Sequence, residues 1–387
     1  MLRLLPWEYA VRNLGRAPTR LALTVGGSAL VVLLVLAAAA FVRGMKRSLQ
    51  VSGNPRNVVL LGAGSEESVE RSEILAGADG IVAASVRGIK TRLGVPYVSP
   101  EVHMASLLKT APGEEGGYMA MLRGVRPAAF LVHDQVRVVE GRLPGPDELL
   151  VGRLAGARMG LDDARLAVGQ KLWLDHRAWT ISGRFEAPGT VMEAEIWCDL
   201  RELQIAAKRD NLSCVVLTLD TAEFADVDVF SKQRLDLELV ALHETDYYAK
   251  LTEFYRPVQV VVWISALLIA LGGFFGGLNT MYAAFAARVR EMGSLQTLGY
   301  SRRAIVTSMV QESTLATLAG ALLAAAAGLV FLDGLAVRFS MGAFGLVLDA
   351  PVLALGLLAG LVLGIVGALP PAWHCLRPAI PEALKAA

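Results

Sequence analysis

The chain has 387 residues, 54% hydrophobic and 19% charged, with a net charge of +1 and a mean hydropathy of +0.48. Its charge content lies below the roughly 25% of soluble domains. With no long basic run or basic–aromatic patch, nucleic acid is excluded as a partner, and three cysteines are too few for a disulfide scaffold or a zinc ribbon.

Residues 1–20 form the first element, read as an amphipathic helix on the inner membrane surface. Leu4, Trp7, Val11 and Leu14 recur on one face at helical spacing, with Arg3, Glu8, Arg12 and Arg16 elsewhere. A plain continuation of the following span is the alternative. Pro18 turns the chain into residues 21–42, which carry no charge. A membrane core needs about 20 apolar residues at about 1.5 Å of rise each, so this stretch spans. A cleavable signal is the other reading, since Ala37–Ala40 contains an A-x-A pattern. The apolar run is longer than a signal core and follows twenty residues of patterned sequence, which favours an anchor.

A large polar segment, 43–256, comes next. Val58–Leu61, Tyr118–Val125, Leu149–Val151 and Cys214–Leu219 read as strands. Lys171–Leu174 and Trp179–Phe185 read as a hairpin around Asp175-His176-Arg177-Ala178. The stretch Ala222–Asp236 is more helical, and Ser85–Gly117 is weakly patterned. A mixed α+β domain of two lobes rather than one sheet is expected, because the segment exceeds the size of one ordinary lobe. Tyr247, Tyr248, Phe254 and Tyr255 suit an outer aromatic belt, with Trp7 and Trp373 at the inner one. A packed helix is the alternative for Tyr247 and Tyr248.

Three more uncharged spans follow, in a 1 + 3 arrangement: 257–287, 304–332 (uncharged from Ser313) and 350–373. Between them lie a basic segment, 288–303, and a short loop, 333–349; a tail, 374–387, closes the chain. Arg3, Arg12, Arg16, Arg20, Arg288, Arg290, Arg302, Arg303, Arg377 and Lys385 cluster on one side, which places both termini and the 288–303 segment in the cytoplasm. Arg43, Lys46 and Arg47 run against that bias, but long translocated domains follow it poorly.

Within the spans, Gly272 and Gly276 form a G-x-x-x-G pair, and Gly356, Gly360 and Gly364 make a stripe four residues apart. Such stripes let helices approach closely in lipid, within one subunit or across a dimer. Glu312 lies in the third span near its cytoplasmic end. An intramembrane acid is a functional candidate, but so near the interface it could simply snorkel or cap a neighbouring helix. No G-x-x-x-x-G-K-[ST], H-E-x-x-H, G-x-S-x-G or C-x-x-C pattern is present, and the five histidines are scattered without metal-ligand spacing. An intrinsic enzyme and a bound metal are therefore not expected. Cys198 and Cys214 both fall in the exterior segment, where they could close a disulfide or stay unpaired and buried.

The most specific stretch is Arg288–Ile305, whose Arg290, Glu291, Gly293, Leu295, Leu298, Gly299, Arg302, Arg303 and Ile305 fall on the pattern R-E-I-G-x-L-R-A-L-G-A-x-R-R-x-I. It resembles the coupling segment of FtsX/MacB/LolC-E-type ABC transporter permeases, with Gln296 and Thr297 replacing the usual Arg-Ala. Tyr9–Arg16, Leu122–Pro127, Glu140–Pro144, Glu148–Gly152 and the tail Pro371-Ala372…Glu382-Ala383-Leu384 are similar to other parts of that family, though Trp373 and His374 replace its arginines.

The resemblance implies four spans, a MacB-like periplasmic domain at 43–256 and the bacterial inner membrane. It implies a cytoplasmic ABC ATPase dimer holding ATP and Mg, and a second permease copy or paralogue. A periplasmic adaptor or lipoprotein is a further implied partner. Leu295 and Leu298 would seat in an ATPase groove while Arg302 and Arg303 meet phosphate or acidic groups. The implied work is mechanotransmission for export or extraction of a hydrophobic molecule or lipoprotein. The alternative is regulation of a periplasmic partner such as a cell-wall hydrolase.

Overall fold

The computed structural model describes residues 7–339 and 342–385, the side chains of Trp7 and Lys385 excepted. Arg3 and Leu4, and the side-chain roles expected of Trp7 and Lys385, lie outside the described residues. The chain forms two compact units. One comprises Met1–Arg43, Pro257–Leu335 and Leu346–Ala387; the other comprises Gly44–Arg256 and Ala336–Gly345.

The first unit is helical. Helix α1 (Trp7–Leu14) is followed by α2 (Pro18–Ser52), α3 (Arg256–Ala286), α4 (Val289–Thr297), α5 (Arg302–Phe331), α6 (Ala350–Cys375) and α7 (Ile380–Lys385). Among the described residues, α2, α3, α5 and α6 are long and apolar enough to cross a membrane. Each begins or ends within a few residues of the expected span, except that α2 continues unbroken for ten residues beyond Val42 through Arg43, Lys46 and Arg47. Pro18 opens α2, where its missing N–H costs nothing. Ala10 and Asn13 are the buried side of α1, while Val11 is exposed.

The second unit holds, among its described residues, a ten-stranded sheet: β1 (Asn57–Gly62), β2 (Val98–Lys109), β3 (Tyr118–Val125), β4 (Arg137–Gly141), β5 (Glu148–Gly152), β6 (Lys171–Leu174), β7 (Arg177–Glu186), β8 (Glu195–Asp199), β9 (Cys214–Thr218) and β10 (Leu239–His243). The strand path is β10-β1-β9-β2-β3-β8-β5-β7-β4, with β6 pairing β2 and β7. Two lobes rather than one sheet were expected; one path of hydrogen bonds joins both halves instead. The reason is the length of β2: Val98–Glu101 pair with β9, while Val102–Leu108 pair with β3.

Alternation fixes the two faces. In β8, Ile196 and Cys198 enter one apolar cluster and Trp197 the other; in β5, Leu149 and Val151 enter the first and Leu150 the second. A slip of one residue would exchange these sets, so the burial pins the register. The expected hairpin forms between β6 and β7 around Asp175 and His176. Tyr247 and Tyr248 are buried in the helix Glu244–Phe254, which is the packed-helix alternative; Phe254 and Trp373 are exposed.

Candidate functional site

The basic segment is built as a short helix with a defined stop. In α4, Leu298 caps the C-terminus and Gly299 follows with φ +92°. The Tyr300 N–H donates to the Leu295 carbonyl at 3.2 Å and the Gly299 N–H to that of Gln296 at 3.0 Å. This is the Schellman arrangement, which requires the left-handed conformation that glycine adopts without a Cβ penalty. Ser301 then caps α5, its hydroxyl accepting from the Ala304 N–H at 3.3 Å. One helix thus ends and the next begins within four residues, which explains Leu-Gly-Tyr-Ser at this point.

The two leucines of the segment do different work. Leu295 packs against a buried cluster containing Met281, Phe285, Met292 and Met309, whereas Leu298 is 68% exposed. Both leucines are expected to seat in a partner's groove; within this chain Leu295 is half-buried against that cluster, while Arg290, Leu298, Arg302 and Arg303 are exposed. Gly293 is buried because the tail lies on it; a Cβ there would stand 3.1 Å from that of Ala383 in α7. Glu291 is exposed and pairs with Arg288 at 3.2 Å.

Glu312 is neither a snorkelling acid nor a helix cap. It is 5% exposed and accepts from Arg20 Nη2 at 2.6 Å, from Arg288 Nη1 at 2.9 Å and from Asn13 Nδ2. One carboxylate therefore ties α1, α2 and α5 to the residue that opens the basic segment. Two guanidiniums on one buried acid satisfy its lone pairs and offset its desolvation.

Comparison with known proteins places this geometry. Residues 21–232 match the MacB-like periplasmic core domain, and residues 263–380 match the FtsX-like permease C-terminal family. The chain belongs to the FtsX/MacB-type ABC transporter permeases. The periplasmic region of MacB from Actinobacillus actinomycetemcomitans is similar at 8% identity and a TM-score of 0.38, over 50% of this chain and 91% of that one. The extracellular domain of the ABC-type transporter YknZ from Gram-positive bacteria is similar at 12% identity and 0.36, over 48% and 97%. No curated protein matches the chain in a sequence search.

The glycine stripes of this permease separate by surroundings. Gly356, Gly360 and Gly364 are buried, where a Cβ would meet Leu36 of α2 and Ala321, Thr314 and Thr317 of α5. Their stripe is consumed inside the subunit. At Gly272 and Gly276 a Cβ would meet nothing within 4 Å.

The MacB-like domain contains a cluster that the sequence reading missed. One face of its sheet lines a cavity of about 580 Å³, walled by Met45, Val69, Tyr248, Phe254 and Phe344 among others. On that face Arg123 makes a bidentate pair with Glu195 (2.7 and 2.8 Å) and reaches Glu101 at 3.0 Å. Glu101 also meets His133 at 2.7 Å, His103 at 3.1 Å and the Ser99 hydroxyl at 2.8 Å. Burial alone would raise the Glu101 carboxyl, but the charges of His133 and Arg123, with hydrogen bonds from both histidines, hold it well below the usual carboxylate range. Burial and Arg123 push His103 down; for His133, Glu101 outweighs burial and pulls it up.

His103 and His133 looked scattered because they come from a strand and a helix end thirty residues apart and meet only at Glu101. Ser99, Glu101 and His103 alternate along β2, and that polar alternation was the available signal. The disulfide considered for Cys198 and Cys214 is not formed, and both thiols are free. Their strands β8 and β9 are separated by β2 and β3, and Cys198 belongs to the opposite face.

Proposed function

We propose that this permease transmits force from a separate cytoplasmic ATPase, the holder of ATP and Mg, to its periplasmic domain. The observation that carries the reading is the Glu312 node, since Arg288 at the start of the basic segment shares its carboxylate with Arg20 and Asn13. A push on α4 would reach α1, α2 and α5 through charged, buried contacts rather than through a mobile loop. The unbroken α2 suits the same role, because a continuous helix transmits displacement along its axis.

In this reading both termini and residues 288–303 are cytoplasmic, and the membrane is the bacterial inner membrane. Leu298 is the apolar knob offered to the ATPase, with Arg290, Arg302 and Arg303 around it. A second permease copy or paralogue covers the open Gly272/Gly276 side of α3. A periplasmic adaptor or lipoprotein completes the assembly. The work done is export or extraction of a hydrophobic molecule or lipoprotein, driven by periplasmic movement rather than by passage through a polar pore.

Co-purification tests this. The full chain should retain a P-loop ATPase, and Leu298→Asp should abolish retention while leaving the thermal melt unchanged, because that side chain is exposed. Undiminished association in Leu298→Asp would remove the segment from the coupling role.

A further inference from the structure

The polar floor of the cavity holds a mixed donor set of carboxylate, imidazole and thiol. Glu101 and His103 stand two residues apart on β2, and Cys214 on β9 lies directly opposite Glu101 in the antiparallel register. All three are buried, and their oxygen, nitrogen and sulfur atoms lie within 4.8 Å of one another. We propose that Glu101, His103 and Cys214 form a binding site for a divalent cation of the zinc class, with the fourth position open to the cavity.

Spacing supports this. Zinc bonds of about 2.0–2.2 Å to oxygen and nitrogen and about 2.3 Å to sulfur give tetrahedral edges of about 3.3–3.6 Å. The structure has His103 Nε2 at 3.1 Å and Cys214 Sγ at 3.9 Å from the same oxygen of Glu101, each within about half an ångström of those edges. A sulfur at that distance is a weak hydrogen-bond donor but a normal co-ligand. The mixed imidazole, thiol and carboxylate set suits a borderline cation, whereas calcium and magnesium prefer oxygen alone.

Binding would release the Cys214 proton to solvent, because the thiolate is the ligand. Arg123 and His133 then become the outer partners that orient Glu101, as metal-bound carboxylates require. Both ligand strands lie inside a sheet, which holds the donors more rigidly than loops would.

The open position would take water or a donor atom of a molecule in the cavity. This inference stands apart from the coupling proposal, and its test does not involve the ATPase. The full chain in detergent, stripped with a chelator and titrated with Co²⁺, should bind one equivalent and develop a sulfur-to-cobalt charge-transfer band in the near ultraviolet. Cys214→Ser should abolish the band, and His103→Ala should weaken Zn²⁺ binding at least about tenfold. Cys198→Ser and Cys375→Ser should leave both unchanged. Failure of the unmutated chain to retain metal overturns the site whatever the variants do, as does a band that survives Cys214→Ser.

Discussion

Replacing Glu312 by glutamine keeps the shape of the side chain and removes its charge, so two guanidiniums lose the acid they share. Arg288 is 14% exposed and Arg20 28%, so each is partly screened by solvent. Breaking a fully buried pair costs about 3–5 kcal/mol, and exposed pairs contribute at most about 1 kcal/mol. With one partner nearly buried and the other a quarter exposed, a loss of about 3 kcal/mol is expected. For a helical unit of this size that lowers the melting midpoint by about 6–12 °C. Thermal unfolding in detergent measures it, and a double-mutant cycle with Arg288→Met isolates the pair. The coupling energy should exceed about 1 kcal/mol, because contacting charges are not additive. A midpoint unmoved by Glu312→Gln, or strict additivity in the cycle, would refute the claim that this carboxylate binds the basic segment to the helices.

The spans were legible because lipid imposes a composition: about 20 residues without charge leave little else to read. The stop at Gly299 and the segment around it were legible for a similar reason, since a left-handed residue and a cap are local demands. Everything set by distant partners was not. Leu295 and Leu298 lie three apart on one helix, and only the packing of Leu295 against the Met281–Phe285–Met309 cluster shows which faces inward. Glu312 takes Asn13 from 299 residues away and Arg20 from 292, so its node left no trace in local pattern. Strand β2 was lost in a stretch judged weakly patterned because Ser99, Glu101 and His103 make its inner face polar. Polar alternation reads as loop unless a cavity and its counter-charges are known. The disulfide failed on topology: two strands and a change of face intervene between cysteines that are sixteen residues apart.

The other predictions separate local from tertiary causes. Gly364→Val should cost about 3 kcal/mol or more, since its Cβ would press on Thr317 and stand 2.7 Å from the Thr314 Cα. Gly276→Val should leave the melt unchanged and alter only self-association on a sizing column. Gly299→Ala should cost about 1 kcal/mol through its φ of +92°, with no change elsewhere in the chain. The last concerns acid. Glu101 is held well below its unfolded value, so the unfolded chain takes up that proton first. Its stabilisation is fully present above about pH 4.3 and is lost as pH falls through the folded value. His133, pulled upward, acts with the opposite sign: its stabilisation is complete below about pH 6.5 and fades as pH rises. The MacB-like domain, followed by fluorescence of the buried Trp179 and Trp197, should therefore lose stability steeply below about pH 4. Glu101→Gln should be less stable at neutral pH and flatter in acid. An acid slope equal in the two proteins would mean that some other carboxylate sets it, and that Glu101 is not the charge around which this floor is organised.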